Sequence, residues 1–137
     1  MGARRPEPDR LRKNHTGSKL VRYQTERLRR RRDFEALMRD RNAARPIRHR
    51  ILTLRARHNN LEHTRVGYAV GRPVGGAVIR NRIKRQLRAL VQELPLAPGY
   101  DIVITARPLA RKSSSQEIKL ALTSSCGKSG LNILENV

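Results

Sequence analysis

The clearest pattern along the chain is a run of apolar residues spaced as on one face of an α-helix. At about 100° per residue, six positions fall within about one third of a helical wheel: Ile79, Ile83, Leu87, Leu90, Val91 and Leu94. Gly75 and Gly76 precede the run and Pro95 follows it, so the pattern predicts one long helix that ends at Leu94. One side of this helix should pack on a core, and the opposite side should meet solvent.

Three other stretches have the patterns of β-strands. Residues 51–57 alternate apolar and polar positions, which is typical of a half-buried strand. Residues 65–71 alternate large and small side chains, and the small ones, beginning at Gly67, would let a packed helix or a ligand strand approach the sheet closely. The continuous apolar run over residues 102–106 favours a strand that is covered on both faces.

Two shorter helices are predicted on either side of these strands. The first begins near Asp33 and places Phe34, Leu37 and Met38 on one side. The second begins at Ser114, which has an acidic residue three positions later, as in a capping box. The order helix, strands, long helix, strand, helix indicates an α+β fold: a small layer of helices, one of them long and basic, on a mostly antiparallel sheet.

The two ends of the chain differ in composition from its middle. Residues 1–26 combine prolines with many charges and little apolar periodicity, which predicts a disordered basic tail. Residues 123–137 are rich in serine and glycine and predict a flexible C-terminal tail. The folded domain is therefore expected to span residues 27–122.

Charge changes this picture more than any other aspect of composition. The chain has 137 residues and a formal net charge of +20, with 37% hydrophobic and only 3% aromatic residues. Self-repulsion opposes compaction at this charge, so a polyanion should screen it, and nucleic acid fits best. An anionic membrane surface is the competing partner, but no apolar run approaches the roughly 20 residues needed to span a bilayer, and the N-terminus lacks signal-peptide features. We therefore expect a cytoplasmic protein.

Candidate chemistry on the protein itself is sparse. Cys126 is the single cysteine, which excludes an internal disulfide framework. The four histidines are scattered without the spacing of zinc ligands, so no protein-held metal is expected. The carboxylates are dispersed, and neither a Ser/His/Asp nor a Cys/His spacing stands out. We expect no catalytic residue in the protein.

The solvent side of the long helix is predicted to be strongly basic. Five cations and one asparagine lie outside its apolar stripe: Arg80, Asn81, Arg82, Lys84, Arg85 and Arg88. A charge run of this kind is usually a solvated surface, but the order of residues here is specific. From Val74 to Arg88 the chain follows V-x-x-A-x-x-R-N-R-I-K-R-x-L-R, which resembles the signature of the bacterial ribonuclease P protein component. The segments LRRRRDFEALMR, RVGYAV and YDIVITAR resemble further parts of that family, so the similarity covers roughly residues 27–122.

The resemblance implies a fold and a set of RNA contacts. It implies an α/β sandwich whose strand–helix–strand unit makes a left-handed crossover, against the usual right-handed rule. Three residues would contact the catalytic RNA subunit: Arg80, Asn81 and Arg82. Three would lie toward a cleft for the 5′ leader of precursor tRNA: Lys84, Arg88 and, nearby, Arg85. The cleft itself would include Phe34, Met38, Leu54 and Arg72.

The resemblance also implies an activity. The chain would be the protein subunit of an endoribonuclease that removes the 5′ leader from precursor tRNA. The RNA subunit would hydrolyse the phosphodiester bond with Mg²⁺ ions bound mainly by the RNA. The protein would neutralise repulsion between the two RNAs and hold the leader, without membrane contact and without an obligate protein partner.

The sequence departs from the family at the expected cleft. Some relatives carry aromatic residues where this chain has Met38, Ile51 and Leu54, a lysine pair where it has Arg72–Pro73, and asparagine where it has Gly76. Because a stacked base gains about 1–3 kcal/mol on an aromatic side chain, we expect weaker leader binding here. From the residues alone, two other classes stay open: a ribosomal or other structural RNA-binding protein, and a DNA-binding module that places the helix in a major groove.

Overall fold

The computed structural model describes residues 25–40 and 46–129 of the chain. In chain order the elements are β1 (Thr25–Arg27), α1 (Arg31–Arg39), β2 (Ile47–Arg48), β3 (Leu52–His58), β4 (Thr64–Ala69), a first 3₁₀ turn (Arg72–Val74), α2 (Ala77–Gln92), β5 (Tyr100–Ala106), a second 3₁₀ turn (Pro108–Lys112) and α3 (Ser115–Ser129). None of the helices in these two ranges combines the length and the apolar character needed to cross a membrane.

The strands form one mixed sheet in the spatial order β1-β4-β5-β3-β2. β3 pairs antiparallel with β2 and β5, whereas β4 pairs parallel with β1 and β5. The predicted α+β class is confirmed, although half of the strand pairs are parallel where the pattern favoured a mostly antiparallel sheet. The additional parallel pair arises because Thr25 and Glu26, assigned by composition to the N-terminal tail, lie in β1 beside β4. The other residues of that predicted tail, 1–24, lie outside the described residues.

A crossover through α2 joins β4 to β5. These two strands are parallel neighbours, so the chain cannot connect them by a tight turn and must cross the sheet. Gly75 has φ +156° at the entry to α2, and a Cβ atom there would lie 3.1 Å from the side chain of Ile79. Glycine therefore suits this position both for its backbone freedom and for its lack of a side chain. The left-handed sense of the crossover stays a prediction.

The main core lies between the sheet and the helices α2 and α3. Its most buried residues come from three strands and both helices: Leu52, Leu54, Val66, Ile83, Leu87, Ile102, Ile104, Ile118 and Leu122. Burying a side chain of this size stabilises the fold by roughly 1.5–3 kcal/mol. The apolar side predicted for α2 is thus confirmed as its packing face, although the helix ends at Gln92 instead of Leu94.

Helix α1 covers part of the opposite face of the sheet. Leu37 is fully buried there with Leu28 and Val103, and Phe34 packs against the same cluster. The ring of Phe34 lies directly over Gly67, where an added Cβ atom would come within 2.4 Å of Cζ of the ring. A packed helix, and not a ligand strand, therefore accounts for the small side chain of Gly67.

Substituting Gly67 with alanine should destabilise the protein by about 1–3 kcal/mol, because the new methyl group forces the Phe34 ring out of its packed position. Urea unfolding would measure the change. Gly71→Ala is a matched control, since among the described residues its Cβ atom would meet only Pro73 Cδ, at the ordinary contact distance of 3.4 Å. The Gly67→Ala loss should shrink in a Phe34→Leu background. Equal losses for Gly67→Ala and Gly71→Ala would contradict this account.

Helix α3 begins at the predicted capping box and extends further than predicted. The Ser114 N–H donates to Glu117 Oε1 at 2.7 Å, and the Glu117 N–H donates to Ser114 Oγ at 3.1 Å. The prediction of a flexible tail from residue 123 is wrong for residues 123–129, which form the last two turns of the helix. Ser125 and Cys126 are buried on its packing side, and because they are small or polar the apolar pattern does not reveal them. Residues 130–137 lie outside the described residues.

Candidate nucleic-acid interface

Helix α2 divides cleanly into a buried side and a cationic side. Ile83 and Leu87 are fully buried, whereas Arg82 and Arg85 are exposed. Asn81 is exposed as well. Three further cations are half-buried at the borders of the packing side: Arg80, Lys84 and Arg88. The Nε of Arg80 is shielded from solvent and has no hydrogen-bond partner among the described residues. Its guanidinium is therefore incompletely solvated, which favours an anionic partner.

No carboxylate neutralises this cationic side within the described part of the chain. Helix α2 contains no acidic residue, and none of its five cations forms an ion pair in residues 25–40 and 46–129. The carboxylates of the sheet and of α1 are paired elsewhere, with Arg57 bound to Asp40 at 3.2 Å and Arg65 to Asp33 at 3.5 Å. The cations of α2 are thus available to bind an anionic partner outside the described fold.

Asp101 is the most buried of these paired carboxylates, with its side chain 1% exposed. Nε and Nη2 of Arg65 donate to its two oxygens at 2.8 and 2.7 Å, and Asn59 Nδ2 donates at 2.9 Å. Burial alone would raise the pKa of Asp101, but the hydrogen bonds from Arg65 and Asn59 and the charges of Arg65 and Arg57 outweigh it and hold the pKa below its ordinary value. The cluster fastens β5 to β4 and to the loop after β3.

An open cleft of about 280 Å³ lies where β1 leads into α1, lined by Arg27, Leu28, Arg29, Phe34 and Tyr68. Burial raises the pKa of Tyr68 to about 12, against the opposing charges of Arg88 and Arg27, so its hydroxyl stays protonated at neutral pH. The charge of Arg88 acts on this hydroxyl, so the α2 cationic side contributes to the positive potential at the cleft. Two aromatic rings among arginines can stack a base and hold its phosphate.

The structure brings together only part of the predicted cleft. Phe34 lines it, whereas Met38 is 43% exposed on α1 and Arg72 is exposed in the first 3₁₀ turn, and neither contributes to its lining. The prediction is wrong for Leu54, which is 0% exposed in the main core. The alternation of β3 turns Leu54 toward the face covered by α2 and α3, where no ligand reaches it. Cleft roles for Met38 and Arg72 stay predictions.

The sequence pattern did not predict four of the residues that line the cleft: Arg27, Leu28, Arg29 and Tyr68. The alternation of β4 placed Tyr68 only among the large side chains of the strand, and in the structure it is partly packed on the core. One available signal was scarcity, because the chain contains only three tyrosines, one phenylalanine and no tryptophan. In a chain with so few aromatic residues, each one is a candidate for stacking against a base.

Together, the fold and the interface define a small basic α+β protein whose longest helix is held in the core by one side and carries unpaired cations on the other. The chain belongs to the ribonuclease P protein family, because the sequence model of that family, Ribonuclease P, matches residues 23–130. The family predicted from the α2 motif is thus confirmed. The chain is 48% identical over 71 residues to the ribonuclease P protein component of Oceanobacillus iheyensis, a match that covers 50% of this chain and 59% of that relative.

Solved structures support the same fold. The Staphylococcus aureus RNase P protein superposes with a TM-score of 0.69 at 24% identity, over 80% of this chain and 99% of that one. The RNase P protein from Thermotoga maritima gives a TM-score of 0.64 at 26% identity, over 72% and 93% of the two chains. In sequence, the chain spans 59%, 53% and 61% of the length of three curated relatives that it matches.

Proposed function

We propose that this chain binds the RNA subunit of ribonuclease P through the cationic side of α2 and assists that RNA in removing the 5′ leader from precursor tRNA. The observation that carries the proposal is the set of five α2 cations without a carboxylate partner in the described residues. Such cations release counterions when they contact phosphates, and this release drives much of RNA binding. The fixed packing of Ile83 and Leu87 presents them on a rigid element.

Different residues of α2 serve different RNAs in this proposal. Arg80, Asn81 and Arg82 contact the RNA subunit. Lys84 and Arg88, with Arg85 nearby, lie toward the leader, and the electrostatic influence of Arg88 on Tyr68 supports this direction. The leader enters the cleft of about 280 Å³, where Phe34 and Tyr68 stack its bases and Arg27 and Arg29 hold its phosphates. Tyr68 thereby offers an aromatic surface that Met38 and Leu54 do not.

The protein contributes binding and not bond chemistry. Among the described residues, no group of three or more His, Cys, Asp or Glu side chains is arranged to hold a metal ion. Mg²⁺ bound by the RNA subunit would supply the nucleophile and the charge stabilisation for hydrolysis. The cations of α2 lower the repulsion between the RNA subunit and its substrate, which reduces the need for free Mg²⁺ as a counterion.

A processing assay tests the proposal directly. The full chain, mixed with ribonuclease P RNA from its own source at low Mg²⁺, should stimulate cleavage of precursor tRNA at the 5′ end of the mature tRNA. Stimulation should be smaller for a substrate whose leader is shortened to one nucleotide, because the cleft then holds little RNA. Equal binding to ribosomal RNA or duplex DNA, with no stimulation of cleavage, would refute the proposal and favour a general nucleic-acid-binding role.

A further inference from the structure

The cationic side of α2 does not end at the edge of the helix. At about 100° per residue, Arg80 borders one side of the buried stripe and Arg82 borders the other. On the Arg82 border the helix meets the second 3₁₀ turn, where Arg82 Nη2 donates to the carbonyl oxygen of Arg111 at 3.4 Å. One turn further along, Gln86 Nε2 donates to Ser115 Oγ at 3.0 Å. The border of α2 that carries Arg82 is therefore joined to the second 3₁₀ turn.

This turn adds two further cations, Arg111 and Lys112, and both are exposed. Neither forms an ion pair within the described ranges. The turn is also firmly anchored, because Ala110 is buried and its N–H donates to the Arg107 carbonyl at 2.8 Å. Pro108 restricts the backbone at its start. The two cations thus project from a fixed support, as those of α2 do.

The position of the turn indicates which RNA it meets. The cleft is lined by residues 27–29, Phe34 and Tyr68 and by none of the second 3₁₀ turn, whereas Arg111 adjoins the Arg82 border of α2. A cationic surface wider than one helix suits the separate phosphate rows of a folded RNA better than the single row of an extended leader. The Arg111 carbonyl also holds the Arg82 guanidinium toward the turn, so one RNA surface can meet both elements.

From this arrangement we infer that Arg111 and Lys112 contact phosphates of the folded RNA subunit, so that its footprint crosses from the Arg82 border of α2 onto the second 3₁₀ turn. The inference rests on the proposed function and extends it to an element outside the helix. Arg80, Asn81 and Arg82 of α2 then form one part of a two-element interface. The leader is not expected to touch Arg111 or Lys112.

Titration of ribonuclease P RNA with the full chain at several salt concentrations tests this inference. The double variant Arg111→Ala/Lys112→Ala should bind about tenfold more weakly at ~0.1 M salt, and the slope of log K against log salt should fall by about 2. The matched control, Lys119→Ala/Lys128→Ala, removes the same charge from exposed positions of α3 and should change the slope by less than half as much. At saturating protein, the holoenzyme's preference for precursor over leaderless tRNA should be unchanged in the double variant.

Two results would overturn the inference. The double variant could match the control in affinity and slope, or it could lose the preference for leader-bearing substrate, which would assign these cations to the leader. Binding by the wild-type chain distinguishes a failure of the proposed function from a failure of the inference about Arg111 and Lys112. If the wild type binds ribonuclease P RNA no better than duplex DNA of similar length, the proposed function fails and the inference fails with it. If the wild type binds selectively, only the inference is at stake.

Discussion

Reversing the charge of Arg80 and Arg82 together, to glutamate, should weaken binding of ribonuclease P RNA by roughly 100-fold or more at ~0.1 M salt. Each reversal removes a phosphate contact and places a carboxylate against the RNA backbone. Neither side chain belongs to the buried stripe of Ile83 and Leu87, so the fold should persist. A binding titration, with circular dichroism to confirm that the variant is folded, measures the effect.

Two comparisons sharpen this prediction. Lys119→Glu/Lys128→Glu makes the same change in net charge on α3 and should cost much less affinity, because it removes only general attraction and a weak, exposed ion pair of Lys119 with Glu93 at 4.0 Å. Lys84→Ala and Arg88→Ala should leave assembly with the RNA subunit nearly intact and instead weaken binding of precursor tRNA by the holoenzyme. Assembly that is untouched by the Arg80 and Arg82 reversals at near-physiological salt would show that the division of roles is wrong.

Replacing Asp101 with asparagine should lower the free energy of unfolding by about 3 kcal/mol at neutral pH, because Arg65 then keeps its charge without its closest partner. Removing one partner of a buried ion pair usually costs about 3–5 kcal/mol. We expect the low end of that range, since the side chain of Arg65 is 25% exposed and keeps its contact with Asp33 at 3.5 Å. Urea unfolding measures the loss. Glu35→Gln, which breaks an exposed pair with Arg31, is the control and should cost about 0.5 kcal/mol or less.

The same substitution should alter how stability depends on pH. The pKa of Asp101 is lower in the folded chain than in the unfolded chain. Its stabilising contribution is therefore fully present above the unfolded value of about 3.9 and is lost as pH falls through the folded value. The difference between wild type and Asp101→Asn should thus narrow progressively below about pH 4. A difference that stays constant down to pH 3 would exclude Asp101 as the source of the stabilisation.

Local patterns predicted the elements of this fold well where the pattern was strong. The 3.6-residue repeat of α2 and the alternation of β3 identified the sides that are buried, and the Ser114–Glu117 spacing located the start of α3. These features depend on residues close together in sequence, so the sequence alone is sufficient for them.

Other features depend on contacts between distant parts of the chain. β1 has only three residues, Thr25–Arg27, and its pairing with β4 cannot be read from so short and polar a segment. Alternation in β3 indicates that Leu54 and Thr53 face opposite ways, but not which face a given helix covers. The resemblance to the family placed Leu54 in the cleft, and the alternation of β3 alone could not correct that placement. Tyr68 belongs to the cleft only because α1 and β1 return to β4 at that point.

The separation of paired carboxylates from unpaired α2 cations implies opposite responses to ionic strength. The bond between Asp101 and Arg65 is sheltered, so added electrolyte should weaken it little. The α2 cations lie near solvent in a chain of net charge +20, so added electrolyte should screen their mutual repulsion. Concentrated salt should therefore make the free polypeptide harder to denature while detaching it from nucleic acid. Washing the complex in a high-salt buffer would then yield native, RNA-free protein in one step.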